Sequence, residues 1–206
     1  MELETYLDRL ASDAPVPGGG SAAAIVAALG AALVAMVGRI TAGNPKFAEH
    51  ADGSMEIVRR CDILRQALRE ARERDERAFG AVVAAQSLPR TDEAQRSART
   101  AALQNALAEA ADAPLHCAAL SRDAIELAQA IANTGNTGLV SDVGCAVEFG
   151  AAAVAACAYN VRVNHLHLRD PATIERQSEL LAEIERDANE RSAVVRTIVN
   201  GALARG

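Results

Sequence analysis

The sequence predicts an all-α fold: a single-domain bundle of about seven helices, two of them long, buried and rich in small residues. Alanine supplies 47 of the 206 residues, whereas only five residues are aromatic. A core made of such small and aliphatic side chains favours closely packed helices over sheets. Apolar residues also recur at steps of three and four, which is the helical period. One domain spanning residues 1–206 is expected, because a chain of this length buries most of its unfolded surface in one core.

Proline and glycine signals divide the chain into the expected helices. The Gly43-Asn44-Pro45 segment ends the first long helix, Leu88-Pro89 ends the next, and Asp170-Pro171 starts the last. Pro114 is interpreted as a proline in the first turn of its own helix. The predicted helices are residues 2–10, 21–41, 55–88, 91–111, 114–133, 143–167 and 170–203.

The charge and the cysteines exclude several classes of function. The formal net charge is −6, so the chain lacks the basic face that a nucleic-acid partner needs. The four cysteines and four histidines have no ligand-like spacing, so neither a metal site nor a disulfide framework is predicted. We expect reduced thiols, with no bound metal and no cofactor.

The first residues and one long apolar run bear on the location of the protein. Acidic Glu2, Glu4 and Asp8 stand where a signal peptide would be basic, so a cytoplasmic protein is expected. Residues 14–38 carry no charge and are long enough to cross a bilayer. They are mostly alanine and glycine, which are weak insertion signals. The run is therefore interpreted as soluble core, and no membrane partner is predicted.

A glycine loop precedes the first long helix. Pro15 and Pro17 fix the approach of the chain, and the Gly18-Gly19-Gly20 run permits backbone geometries closed to other residues. Ser21 follows at the expected helix start, where its side chain is able to cap the free N–H groups. Such a helix start is able to hold an anion. The alternative is a flexible turn that lets a small-residue helix pack closely.

One carboxylate interrupts an apolar stripe. Asp75 falls between Ala71 and Phe79, at a position where the helical period calls for an apolar residue. A carboxylate there costs several kcal/mol unless it is paired, hydrogen-bonded or protonated. Asp75 is therefore a candidate for a functional or interface role.

The second long apolar helix carries two further carboxylates. Asp142 lies at its start, where the helix dipole stabilises a negative charge, although capping by Ser141 or Asp142 explains the pattern equally. Glu148, inside the helix, is the next candidate, unless Tyr159, Arg162 or a subunit contact satisfies it.

Four blocks of the sequence resemble one family. In these blocks, and in their order, the chain is similar to the cyclodeaminase and cyclohydrolase family. That family is an all-helical domain found at the C-terminal end of formiminotransferase-cyclodeaminase and alone in bacterial methenyltetrahydrofolate cyclohydrolases. The resemblance covers nearly the whole chain. The blocks are Ala14 to Ser21, Asp75 to Phe79 with Leu88-Pro89, Gly135-Asn136 to Gly144, and Tyr159 to Asn164.

The resemblance implies a homodimer and a tetrahydrofolate substrate that reacts at the bridge between N5 and N10. The cyclohydrolase adds water to 5,10-methenyltetrahydrofolate and forms 10-formyltetrahydrofolate. The cyclodeaminase closes formimidoyltetrahydrofolate and releases ammonia. We expect the cyclohydrolase, because the 206 residues hold no formiminotransferase domain to make the deaminase substrate. A non-catalytic folate-binding helical protein is the alternative of another class.

The resemblance also assigns roles to individual residues. Asp142 or Asp75 is expected to act as the base and to offset the positive charge of the substrate. The family usually carries a lysine-rich run after the first long helix, and only Lys46 remains here, so we expect a weaker hold on the polyglutamate tail or a different substrate. The residues expected to bind substrate are Gly18, Gly19, Gly20, Ser21, Lys46, Phe79, Asn136, Ser141, Asn160, Arg162 and Asn164.

Helix length separates these residues into two groups. Asp142 and Asn160 are 18 residues apart, which is roughly 27 Å along one continuous helix. One small reacting centre cannot contact both. The cluster of Asn160, Arg162 and Asn164 therefore binds another part of the folate, acts in the site of a neighbouring subunit, or forms a structural network.

Overall fold

The protein is a bundle of six α-helices within the described part of the chain, residues 2–134 and 136–204 of a computed structural model. The all-α prediction is therefore confirmed, with six helices in place of about seven. The helices are α1 (Leu3–Leu10), α2 (Gly19–Ala42), α3 (Ala51–Gln86), α4 (Glu93–Ala132), α5 (Val140–His165) and α6 (Pro171–Leu203).

The helix α4 corrects one prediction. Residues 91–111 and 114–133 do not form two helices, because α4 runs through Pro114 without a break. Proline lacks the N–H that would bond to the carbonyl four residues earlier, which is that of Ala110. Here the side chain of Asn164 donates a hydrogen bond of 2.8 Å to the Ala110 carbonyl instead. Pro114 and its neighbours Ala113 and Leu115 are buried, so packing also offsets the cost of the proline.

Two short 3-10 turns join the long helices. The turn Pro45–His50 follows α2, and the turn Thr137–Leu139 precedes α5. The helix α5 begins at Val140, and its N-cap residue Leu139 provides no side-chain hydrogen bond. Capping by Ser141 or Asp142 was therefore a wrong prediction, since both residues already lie inside the first turn. Gly135, part of one family-like block, lies outside the described residues.

The helices α2 and α5 lie side by side at the centre of the bundle and run antiparallel. Gly19, at the start of α2, lies next to Asn160 near the end of α5, whereas Gly30 lies against Ala146 in the first half of α5. A Cβ at Gly30 would lie 2.9 Å from the Ala146 carbonyl oxygen, so the absent side chain permits this close approach. The small-residue core that the composition predicts is thus formed largely where α2 packs against α3, α4 and α5.

Two segments of the described chain are long and apolar enough to cross a membrane. They are Gly19–Ala42 and Thr137–His165, and 56% and 39% of their most apolar windows are buried inside the bundle. Both segments are core elements here. Their outward faces, however, are apolar as well, with Leu29, Met36 and Tyr159 among the exposed large side chains.

Candidate active site

The first turn of α2 packs directly against Asp75 on α3. A Cβ built on Gly20 would overlap the Asp75 carboxylate, so the absent side chain makes room for that carboxylate between the two helices. The loop before α2 was predicted to hold an anion. The anion that the structure places at this helix start is the side chain of Asp75, and the backbone N–H of Ser21 donates a hydrogen bond to it.

A cavity of about 220 Å³ opens beside Asp75. Sites that enclose a drug-sized ligand usually measure 300–1,000 Å³, so this cavity has room for part of such a ligand, and the rest would extend outside. Its walls come from the glycine loop and from α3, α4 and α5. They are formed by Pro15, Val16, Gly18, Gly19, Asp75, Phe79, Ala110, Asn160 and Asn164.

Asp75 lacks an ion-pair partner among the described residues. Arg74, its neighbour on α3, is bonded to Glu109 and Asp112 of α4, and Arg72 pairs with Glu73 and Glu76. Burial raises the pKa of Asp75 from 3.8 to about 6, the Ser21 N–H opposes that rise, and the nearby charge of Glu76 adds to it. The carboxylate is therefore poised to change its protonation state near neutral pH, as a general acid or base must.

The Ser21 side chain does not cap α2, which corrects a second capping prediction. The helix begins at Gly19 with Gly18 as its N-cap, and no side chain caps it. The Ser21 hydroxyl is fully buried, donates a hydrogen bond of 2.9 Å to Glu76 Oε1 and lies 2.9 Å from the Tyr6 hydroxyl. These bonds join α1, α2 and α3 at Ser21 and at Glu76, the neighbour of Asp75 in sequence.

Asn160 and Asn164 form the α5 wall of the cavity. The side-chain amide of Asn160 donates to the Ala156 carbonyl at 2.8 Å. That of Asn164 donates to the carbonyls of Asn160 and Ala110, both at 2.8 Å. The two asparagines thus lie with Asp75 and the glycine loop around one cavity. Phe79 is 41% exposed and offers an aromatic face at the same opening.

Arg162 lies between the two asparagines in sequence but on another face of α5. Its guanidinium pairs with Glu185 of α6 at 2.6 Å, and it is absent from the cavity wall. Glu148 has a similar surface position, where two hydrogen bonds from Arg196 of 2.7 and 2.9 Å satisfy it. The pKa of Glu148 is lowered, chiefly by that hydrogen bonding. The partner of Glu148 is thus Arg196, which the sequence interpretation did not consider.

The remaining candidate residues lie at the opposite end of the bundle. Asn136 donates to the Thr41 hydroxyl near the end of α2 at 2.9 Å, and Ser141 and Asp142 follow in the first turn of α5. Lys46 is exposed in the turn after α2. The α2 segment from Gly20 to Ala42 alone spans roughly 33 Å. Within one protomer, these residues are therefore remote from Asp75.

A second cavity, of about 380 Å³, lies under α1, and Asp75 is not among its wall residues. Tyr6, Arg69 and Arg72 are among its wall residues. Metal ligands are not grouped anywhere in the described chain, since no three His, Cys, Asp or Glu side chains there are arranged to hold an ion. We place the candidate site at the smaller cavity because the pKa of its carboxylate is strongly raised and that carboxylate is unpaired.

Sequence reasoning missed several parts of this site. Ala110 and the network of Tyr6, Ser21 and Glu76 depend on contacts between distant helices, which no local pattern reveals. Pro114 offered one usable signal: a proline inside a helix leaves the carbonyl four residues earlier without its helical donor.

Comparisons with known proteins identify the family. The profile of the formiminotransferase-cyclodeaminase family matches residues 2–186. A methenyltetrahydrofolate cyclohydrolase from Methylorubrum extorquens is 42% identical over 183 residues, which are 89% of this chain and 86% of that protein. The crystal structure of formiminotetrahydrofolate cyclodeaminase from Thermotoga maritima has a TM-score of 0.89 at 26% identity, and covers 98% of both chains. The chain belongs to the formiminotransferase-cyclodeaminase family, which confirms the resemblance drawn from the four blocks.

Longer relatives contain this fold as one part. Formimidoyltransferase-cyclodeaminase from Rattus norvegicus is 31% identical over 194 residues, which are 94% of this chain but only 36% of the rat protein. The present chain thus spans about a third of that relative's length.

Proposed function

We propose that the protein is a methenyltetrahydrofolate cyclohydrolase, which hydrolyses 5,10-methenyltetrahydrofolate to 10-formyltetrahydrofolate. The relative of that name from Methylorubrum extorquens supports this proposal, because its 42% identity extends over most of both chains. The proposal depends chiefly on one residue, Asp75. It is a carboxylate in a cavity, without a cationic partner among the described residues, and its pKa is raised to about 6.

The cavity suits a cationic substrate with hydrogen-bond donors. The amidinium carbon of the methenyl group carries a positive charge, which the Asp75 carboxylate offsets at short range. The ring of Phe79 offers a surface on which a flat pterin stacks. The cavity volume of about 220 Å³ leaves no room for a whole folate, so the aminobenzoyl-glutamate part extends out of it.

The first chemical step is the addition of water to the methenyl carbon. Asp75 removes a proton from the water as its oxygen bonds to carbon, and the substrate's positive charge disappears in a neutral adduct. A base whose pKa lies near 6 is largely ionised at neutral pH and is still basic enough to assist.

The second step opens the five-membered ring. The bond between carbon and N5 breaks, and protonated Asp75 returns its proton to N5. As the formyl C=O forms, the hydroxyl of the adduct gives its proton to the Asp75 carboxylate. Asp75 then releases this proton to solvent. One water is consumed and one proton is produced for each substrate molecule.

The test is the loss of methenyl absorbance when the enzyme is added, compared with the buffer-catalysed rate. Acceleration supports the cyclohydrolase, and an uncatalysed rate contradicts it. The alternative reaction is supported by the Thermotoga maritima cyclodeaminase, whose fold this chain shares. Ammonia release from formimidoyltetrahydrofolate without methenyl hydrolysis would favour it. Tight folate binding in calorimetry without either turnover would identify a non-catalytic binding protein.

We further propose that the protein works as a homodimer joined through α2 and α5. The outward face of these helices is an apolar stripe, which we define as Ile25, Leu29, Met36 and Ile40 on α2 with Cys145, Ala152, Tyr159 and Val163 on α5. The ion pairs Glu148–Arg196 and Arg162–Glu185 border it on the α6 side. An apolar centre with a polar rim is typical of a protein interface. A bilayer is disfavoured, because the charged helices packed around α2 and α5 would have to enter it.

The proposed dimer brings Asp142 of one protomer close to the site of its partner. A two-fold axis perpendicular to α2 and α5 pairs the stripes antiparallel, so the Asp142 end of one protomer lies over the glycine loop of its partner. We propose that Asp142 and the residues near it contribute from the partner subunit, since they are remote from Asp75 within one chain.

We propose that this enzyme is cytoplasmic. All four cysteines are free thiols, and three of them are buried, which fits a reducing compartment. Fractionation without detergent should leave the protein in the supernatant, and recovery only in a detergent extract would contradict this.

A further inference from the structure

Asn164 and Ala110 form a contact that links the backbone of α4 to the cavity. Pro114 has no N–H to offer the Ala110 carbonyl, so that carbonyl loses its helical donor. The side-chain amide of Asn164 donates to it at 2.8 Å, and both Ala110 and Asn164 line the cavity.

The same contact fixes the orientation of the Asn164 amide. Its nitrogen has two hydrogens, and these are accounted for by the carbonyls of Ala110 and Asn160, each at 2.8 Å. No donor in residues 2–134 and 136–204 reaches the remaining atom, Oδ1. An amide held in this way cannot flip without breaking two hydrogen bonds, so it presents an acceptor and not a donor to any group that approaches.

We propose that Pro114 is a positioning residue: by freeing the Ala110 carbonyl it orients Asn164, whose Oδ1 then accepts a hydrogen bond from an N–H of the substrate's pterin. The inference rests on the proposed function only for the identity of that donor. Together with Asp75, the oriented amide makes this side of the cavity a wall of acceptors, which suits a cationic ring with several N–H groups and disfavours an anionic one.

The test replaces Pro114 by alanine, which restores the missing N–H. The Ala110 carbonyl then regains an intrahelical donor along the axis of α4, and this donor competes with the Asn164 amide for the carbonyl. We expect Pro114→Ala to raise the melting temperature, because an interior proline is removed from a helix. Turnover should fall about tenfold, the effect of one misplaced hydrogen bond. Turnover within about twofold of wild type in a folded Pro114→Ala protein would overturn the proposal.

Two further variants separate positioning from general damage. Pro171→Ala removes a proline from the first turn of α6, where a missing N–H breaks no intrahelical bond, and should leave turnover unchanged. Asn164→Ala should lower turnover as much as Pro114→Ala, and the double variant should be no slower than Asn164→Ala alone, because both act through one group. Additive losses would contradict the inference.

A measurement without substrate keeps the inference independent of the activity. In the ¹⁵N-labelled wild-type protein, the side-chain NH₂ signals of Asn164, assigned by their loss in Asn164→Ala, should exchange slowly with solvent, because both protons are hydrogen-bonded. Exchange should become faster in Pro114→Ala, or in Pro114→Ser if the alanine variant does not fold. Fast exchange in the wild type would refute the fixed amide. Slow exchange without methenyl turnover would refute the proposed function alone.

Discussion

Three properties distinguish Asp75: its burial, its charge and its position on the fold. It lies on a helix rich in arginine, yet Arg72 and Arg74 are engaged by other carboxylates. Desolvation therefore dominates, and the pKa of Asp75 is raised to about 6. A carboxylate left unpaired in a cavity destabilises the folded state unless a ligand supplies the missing cation.

The pH profile should report this residue. If ionised Asp75 is the base, kcat/KM rises with pH and levels off above an apparent pKa of about 6, which belongs to the free enzyme. Below that value, kcat/KM should fall about tenfold per pH unit. Initial rates across the acid range, corrected for the buffer-catalysed reaction, measure it. A profile that stays flat down to about pH 4.5 would exclude a base of this pKa.

The stability of the protein should respond to pH in the opposite direction. Because the pKa of Asp75 is raised from 3.8 to about 6, the folded state binds more protons than the unfolded state across that window. The contribution of Asp75 to the free energy of unfolding therefore falls as pH rises from about 4 to 6. Asparagine does not ionise, so Asp75→Asn should be the more stable protein at pH 7.5, by about 1–3 kcal/mol.

Urea denaturation of both proteins at two pH values tests this prediction. The difference in the free energy of unfolding should nearly vanish near pH 3, about one unit below the unfolded-state pKa of 3.8, where the carboxyl is mostly protonated in both states. An Asp75→Asn protein that is less stable than wild type at pH 7.5 would show that the ionised carboxylate is a structural group.

At the scale of the elements, Gly20 of α2 makes room for the Asp75 carboxylate of α3. Gly20→Ala should displace the Asp75 carboxylate, because the new Cβ would overlap it. We expect turnover to fall at least tenfold, with a loss of stability of roughly 1–3 kcal/mol from overpacking. Gly53→Ala is the matched control, because it lies in α3 with nothing within 4 Å of the new Cβ. It should leave turnover intact and stabilise by about 0.5–1 kcal/mol. Equal behaviour of the two variants in turnover assays would contradict the assigned contact.

Local patterns predicted some elements and missed others for physical reasons. The two long apolar helices and the stripe interrupted by Asp75 follow from period and composition, which are local. The sequence predicts a helix start at Pro114, but tertiary packing and the Asn164 amide compensate for its missing N–H. The capping roles of Ser21 and Asp142 also failed, since Ser21 bonds to Glu76 of another helix and α5 begins two residues before Asp142.

For the whole molecule, the apolar stripe predicts the state of assembly. Leu29 is 52% exposed at the middle of α2, so Leu29→Glu should place a charge in the dimer interface and yield a monomer. Ile63, which is 71% exposed on α3, lies outside the stripe, so Ile63→Glu should stay dimeric. Sedimentation velocity of the wild type and both variants decides this. A monomeric wild type, or a dimeric Leu29→Glu protein, would remove the proposed interface.

Mixing two inactive variants tests whether the partner completes the site. Asp75→Asn and Asp142→Asn should each be inactive alone. After unfolding and refolding together, they should regain roughly a quarter of the wild-type rate, because half the dimers carry one native site of two. Full activity of Asp142→Asn alone would remove Asp142 from the chemistry, and no recovery would argue against a shared site.

The most direct measurement is the turnover of Asp75→Asn on 5,10-methenyltetrahydrofolate, followed by the loss of methenyl absorbance and divided by the concentration of folded protein. Asparagine keeps the size of the side chain and removes its basicity. With Asp75 as the base, turnover falls about 100-fold or more while the fold is retained. An Asp75→Asn enzyme that keeps the wild-type rate would contradict the central role given to Asp75.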